Sequence, residues 1–239
     1  MDNPHPQLLV MLPGLDGTGK FFTSFVQAMG GGAQAHIIRY PTDEPLGYEE
    51  LEARVREALP KHRPFVLLGE SFAGPIAIRI AAAPPAGMLG VILCGTFARS
   101  PYPLPRWAAA LSCLVPVKSL PRWVRAPLMW GSKDAARAPA RGERATARVA
   151  GRVIRRRIRA LLEVDAADCL ARISLPALVL HGCSDRIVPR AAARSLAAGL
   201  ANAELEAIAG PHLLLQATPR ECAAAISRWL SKLTWPRPG

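Results

Sequence analysis

Three residues with the chemistry of acyl transfer stand at separate positions in this chain: Ser71, Asp185 and His212. A serine hydroxyl becomes a good nucleophile when an imidazole takes its proton. The imidazole in turn needs a carboxylate to hold its tautomer and orientation. Ser71 lies in Gly69-Glu70-Ser71-Phe72-Ala73-Gly74, after the apolar run 65–69 and before a small, apolar stretch. A serine on a tight strand-to-helix turn is pushed out at the carboxyl end of a sheet, and small flanking residues let strand and helix approach. Ala73 departs from the G-x-S-x-G pattern, with Gly74 following, but alanine is small enough for that contact. Taken alone, the segment also fits a glycine-rich turn with an ordinary serine.

The chain has five histidines. His5 lies near the terminus, His36 in a strand and His62 in a polar turn, and all three read as structural or surface imidazoles. His181 ends a strand, where an imidazole is expected to bond backbone, so it is the second choice of base. His212 lies in Gly210-Pro211-His212-Leu213-Leu214, a loop between the last strand and the last helix, at the same sheet edge as Ser71. Asp185 follows a strand directly in His181-Gly182-Cys183-Ser184-Asp185-Arg186-Ile187-Val188-Pro189, and its simpler role is an Asx-turn. The chain order Ser71, Asp185, His212 is the one expected for such a sheet.

A tetrahedral intermediate also needs fixed donors for its negative oxygen. One is expected from the Phe72 backbone N–H and the other from Leu15, in the loop Pro13-Gly14-Leu15-Asp16-Gly17-Thr18-Gly19. That loop ends in Gly19-Lys20 but fails the phosphate-loop pattern, because Phe21 stands where a hydroxyl residue is required.

The elements that must hold these residues are legible as alternating apolar runs. Strands are expected at 8–12, 36–40, 65–69, 90–94, 177–181 and 204–208. Helices are expected at about 21–29, 48–59, 72–83, 190–199 and 219–233. This alternation predicts an α/β fold with a doubly wound, mostly parallel sheet of about six strands. Residues 97–173 interrupt it with proline-broken helical pieces. The expected division is a core of 1–96 and 174–239 with a helical insertion, 97–173.

The 239 residues, half of them apolar, exclude a disordered or fibrous chain. The five cysteines (Cys94, Cys113, Cys169, Cys183, Cys222) are odd in number and lack CxxC spacing. That argues against a disulfide framework and a zinc site, and no metal or cofactor is expected. No signal peptide or membrane-length apolar stretch is visible, so a cytoplasmic location is expected.

Together the oxyanion loop, the nucleophile turn, the helical insertion, the G-x-x-D-x-x-V-P loop and the Pro-His loop resemble the α/β-hydrolase superfamily. They are most similar to its small bacterial esterases and thioesterases. The resemblance implies hydrolysis of an ester or thioester through an acyl-enzyme on Ser71, with the insertion as a cap. It covers nearly the whole chain. The superfamily usually has two strands before the oxyanion-loop strand, whereas only seven residues precede Leu8, which is why a trimmed sheet is expected.

Residues 133–160 supply +8 of the net charge of +12. Arg141, Arg144, Arg148, Arg152, Arg155 and Arg159 would form one stripe on a continuous helix, with Val149, Val153, Ile158 and Leu162 packing inward. The stripe is either a solvated face or a docking site for an acidic acyl carrier: a carrier protein, coenzyme A or anionic lipid. Nucleic acid is disfavoured, because no aromatic interleaving accompanies the charge. Trp107, Leu111, Trp123 and Trp130 are candidates for an acyl pocket. Two rivals remain open: a non-catalytic binding protein on this fold, and an acyltransferase.

Overall fold

A computed structural model of the chain describes residues 7–102, 129–131 and 147–236. Six strands form one parallel sheet: β1 (Gln7–Leu12), β2 (Ala33–Ile37), β3 (Phe65–Glu70), β4 (Met88–Cys94), β5 (Ala177–Gly182) and β6 (Ala203–Ile208). Their spatial order is β2-β1-β3-β4-β5-β6. The helices are α1 (Thr23–Ala28), α2 (Tyr48–Ala58), α3 (Gly74–Ala82), α4 (Gly151–Glu163), α5 (Ala167–Leu170), α6 (Arg190–Gly199), α7 (Leu214–Ala217) and α8 (Pro219–Leu230).

The unbroken apolar run of β1 reflects burial on both faces. Leu8, Val10 and Leu12 pack with Leu51 and Val55 of α2 and Ile76 of α3. Leu9 and Met11 pack on the opposite face with Phe25 of α1 and Ile226 and Trp229 of α8. Burying each such side chain contributes about 1.5–3 kcal/mol.

The second strand lies earlier than the expected 36–40. It runs Ala33–Ile37, paired to β1 from Gln7↔Ala33 to Met11↔Ile37. As an edge strand it leaves Gln34 and His36 exposed, so its apolar signal is weak. Ile38 and Tyr40 are buried by the crossover that follows, where the Tyr40 N–H donates to the Gly17 carbonyl at 2.9 Å. The short helix α7 was not expected either; it is one helical turn beyond His212.

β1 is flanked by β2 on one side and β3 on the other. The winding therefore reverses between β1 and β3, and the crevice at their carboxyl ends is where open α/β sheets take ligands. Leu15 follows β1 and Ser71 follows β3.

Between β4 and β5, the described residues form α4 and α5. The two ends of this connection are zipped together: the Ser100 N–H donates to the Val164 carbonyl at 3.2 Å and the Ala166 N–H to Ala98 at 2.9 Å. An Arg99–Asp165 ion pair at 2.8 Å closes the root. Among the described residues, Arg148 does not share one continuous helix with Arg152, Arg155 and Arg159. α4 begins only at Gly151, because Ala150 is extended (ψ 141°). Arg148 sits in a turn before it, and Arg141 and Arg144 lie outside the described residues. Arg152, Arg155 and Arg159 do share the exposed face of α4. Val149, Val153 and Ile154 are buried beneath it, with Ile158 partly buried. Among the described residues, no helix is long and apolar enough to cross a membrane.

Candidate active site

Ser71 opens a 3-10 turn, Ser71–Ala73, that joins β3 to α3. Its φ of 51° makes it the one non-glycine residue at positive φ among those described. Such a backbone costs about 1–3 kcal/mol and persists only where its surroundings impose it. Here Thr96, just past β4, donates to the Ser71 carbonyl at 2.5 Å. The Tyr48 hydroxyl donates to the Phe72 carbonyl at 3.0 Å, and its ring stacks on Phe72 at 4.6 Å.

Ser71, His212 and Asp185 come from three loops and form one hydrogen-bonded chain. Ser71 Oγ lies 2.9 Å from His212 Nε2, and His212 Nδ1 lies 2.9 Å from Asp185 Oδ2. The histidine and aspartate side chains are 2 % and 0 % exposed. Asp185 Oδ1 accepts the N–H groups of Ile187 at 2.8 Å and Val188 at 2.9 Å. The Asx-turn role and the imidazole contact therefore coexist, one on each oxygen. The Pro-His loop crosses directly over the end of β5. A side chain at Gly182 would meet the Pro211 carbonyl at 2.4 Å, so only glycine fits there.

The oxyanion-loop candidates lie beside the serine. A Cβ on Gly14 would stand 3.7 Å from Ser71 Cβ. The Gly14 carbonyl accepts the Gly17 N–H at 3.0 Å. Because the peptide is planar and trans, the Leu15 N–H points the opposite way from that carbonyl. The Phe72 N–H immediately follows the nucleophile.

Four polar residues near the site, Glu70, Gln216, Asp16 and Arg157, were not singled out from sequence. Glu70, beside Ser71, is buried, and Gln216 of α7 donates to its Oε1 at 2.8 Å. Burial pushes its carboxyl up to about 8; the Gln216 bond opposes this and the Asp16 charge adds to it. The signal was a carboxylate at the end of an otherwise apolar strand. Asp16 is also raised by burial, against the hydrogen bonds of Thr18 and the charge of Arg157. Arg157 of α4 is wholly buried. It falls four residues after Val153, on the inward face, which the periodicity could have shown.

His181 makes no backbone bond through Nδ1, which is buried with no partner among the described residues. Burial holds it below the usual imidazole range, with the Asp185 charge opposing. Of the acyl-pocket candidates, Trp107, Leu111 and Trp123 lie outside the described residues. Trp130 is half-buried, its ring 6.2 Å from that of Phe21. Its neighbour Met129 accepts the Leu213 N–H at 3.0 Å. Residues 129–131 thus touch Phe21, in the turn that follows the loop bearing Leu15, and the loop bearing His212. Among the described residues, no group of three or more His, Cys, Asp or Glu is placed to hold a metal.

Solved structures share this architecture. The enol-lactonase of Burkholderia xenovorans LB400 superposes with a TM-score of 0.83 at 18 % identity, covering 97 % of this chain and 94 % of its own. A thermophilic esterase from Thermogutta terrifontis gives 0.77 at 20 % identity, covering 97 % and 91 %. An esterase from Exiguobacterium antarcticum gives 0.75 at 16 % identity, covering 95 % and 92 %. At these identities the likeness shows the fold alone. The sequence pattern of the alpha/beta hydrolase family matches residues 9–225, from β1 into α8. The chain therefore belongs to the alpha/beta hydrolase family.

Proposed function

We propose that the protein hydrolyses a carboxylic ester or thioester through an acyl-enzyme on Ser71. The observation that carries this reading is the hydrogen-bonded chain from Ser71 Oγ through His212 to Asp185, at 2.9 Å per step. With Nδ1–H donating to Asp185, Nε2 of neutral His212 is left as an acceptor for the serine proton. As Ser71 Oγ bonds to the acyl carbon, His212 takes that proton and then delivers it to the leaving alcohol or thiol. The negative oxygen is held by the N–H groups of Leu15 and Phe72. Water, deprotonated by His212, releases the acid and restores the serine. The esterase and lactonase activities of structural relatives agree with this chemistry.

We read 97–173 as a cap, with Trp130 at its contact with the body. The exposed arginines of α4 support docking of an acidic acyl carrier: a carrier protein, coenzyme A or anionic lipid.

The test is hydrolysis of p-nitrophenyl acyl esters, short to long chain, by wild type and Ser71→Ala. Activity lost in the variant supports the reading. A folded wild type that neither hydrolyses esters nor is labelled on Ser71 by a serine-directed phosphonate refutes it and favours a binding protein. Transfer to an added alcohol in preference to water makes it an acyltransferase.

A further inference from the structure

Arg157 belongs to the most basic stretch of the chain, yet among the described residues it is the largest wholly buried side chain. A buried guanidinium costs several kcal/mol unless it is well bonded, and burial holds this one below the usual arginine range. The bonds that offset the cost go to backbone. Nη1 donates to the Leu15 carbonyl at 2.9 Å and Nη2 to the Pro41 carbonyl at 2.8 Å. The guanidinium also lies 5.4 Å from the centre of the Tyr40 ring. Gly17 leaves the space for it: a Cβ there would come within 2.6 Å of Nη1, and the φ of 72° is one that other residues rarely adopt.

The same helix grips Leu15 a second time. The Leu15 side chain packs against the cluster of Val149, Val153 and Ile154, with Ile158 alongside. The N-terminal end of α4 is pinned to the segment that follows Pro41, where the Ala150 N–H donates to the Thr42 carbonyl at 2.8 Å and Arg152 Nη2 to the Asp43 carbonyl at 2.9 Å. Leu15 is therefore held on three sides. The Gly14–Gly17 turn fixes the peptide before it, Arg157 fixes its carbonyl, and the apolar face of α4 fixes its side chain.

We propose that Arg157 is a positioning residue for the oxyanion hole: α4 clamps Leu15 through it, so the seating of α4 sets the direction of the Leu15 N–H. Arg157 touches no substrate in this scheme and acts through Leu15. The inference rests on the hydrolase reading above. A donor displaced by a fraction of an ångström matters most to the transition state, where the oxygen carries its charge.

The experiment compares wild type, Arg157→Met and Arg157→Lys, each checked for folding by circular dichroism and thermal melting. The readouts are kcat and KM on p-nitrophenyl butyrate, and the inhibition constant of an alkyl trifluoromethyl ketone, whose adduct with the serine carries an oxyanion. Arg157→Met is expected to lower kcat by about tenfold to a hundredfold. KM should stay within about twofold, and ketone affinity should fall by the same factor as kcat. Arg157→Lys keeps the charge but not the two-pronged fork, and should fall in between. A folded Arg157→Met with wild-type kcat and ketone affinity overturns the proposal, as does a loss confined to KM. If Arg157→Met does not fold, Arg157→Lys decides, and unchanged kcat and ketone affinity there overturn it equally. A wild type that neither hydrolyses the ester nor binds the ketone defeats the hydrolase reading, and this inference with it.

Discussion

Replacing Glu70 by glutamine isolates the cost of a carboxylate buried beside the nucleophile. Glutamine keeps the shape and can still accept the bond that Gln216 makes to Oε1 at 2.8 Å, but it cannot ionise. In the folded protein the Glu70 carboxyl is pushed from the ordinary 4.5 up to about 8, chiefly by burial. Between those two values the unfolded chain has released a proton that the folded chain still holds. Stability must then fall as pH rises through this window, and level off above it. At about 1.4 kcal/mol per pH unit, the full interval corresponds to on the order of 5 kcal/mol. The assay is urea unfolding of both proteins at pH 5.5, 6.5, 7.5 and 8.5. Glu70→Gln should gain on wild type by roughly 1 kcal/mol with each step up to about pH 8. The other ionisable groups facing Glu70 are Asp16, Cys94 and Cys222. Both thiols are pushed up by burial, Cys222 to about 12, so neither mimics the effect in this range. A difference between the two proteins that stays constant with pH would refute the reasoning, because Glu70 would then titrate alike in both states.

The same charge should appear in catalysis: kcat/KM of wild type should decline above about pH 8, as ionised Glu70 opposes the oxyanion, and Glu70→Gln should remove that decline. Asp185→Asn should keep the fold but lower kcat by about 10³–10⁴-fold by favouring the wrong imidazole tautomer, as steady-state kinetics would show. Gly74→Ala should lower the unfolding free energy by about 1–3 kcal/mol, since its Cβ would fall 1.9 Å from Thr96 Oγ1. Reversing the exposed Arg148 and Arg155 to Glu should weaken turnover of an acyl-carrier-linked substrate while sparing p-nitrophenyl butyrate; equal loss on both would remove the docking idea.

The sequence by itself determined most of the sheet and the residues of its working edge. β1, β3, β4 and β5 were readable because burial on both faces demands unbroken apolar runs, whereas β6, the other edge strand, carries two glutamates and is partly or fully exposed along most of its length. β2 was misplaced because an edge strand needs only half of that pattern, and Ile38 and Tyr40 imitate it from the crossover. Ser71, Asp185 and His212 were legible because each follows a strand, and a parallel sheet delivers every strand end to one edge. Only the tertiary structure decided the distances of 2.9 Å that join them. It also set the division of labour between the two oxygens of Asp185. The fate of the arginines was likewise beyond local reading. Arg152 and Arg157 are five residues apart on one helix, yet one faces water and the other is wholly buried. Spacing could say that they face different ways. That the inward one would find two unpaired carbonyls, at Leu15 and Pro41, depended on loops from distant parts of the chain. Buried polar groups are settled by such long-range partners, and for that reason the partners of Glu70, Gln216 and Arg157 became visible only in the fold.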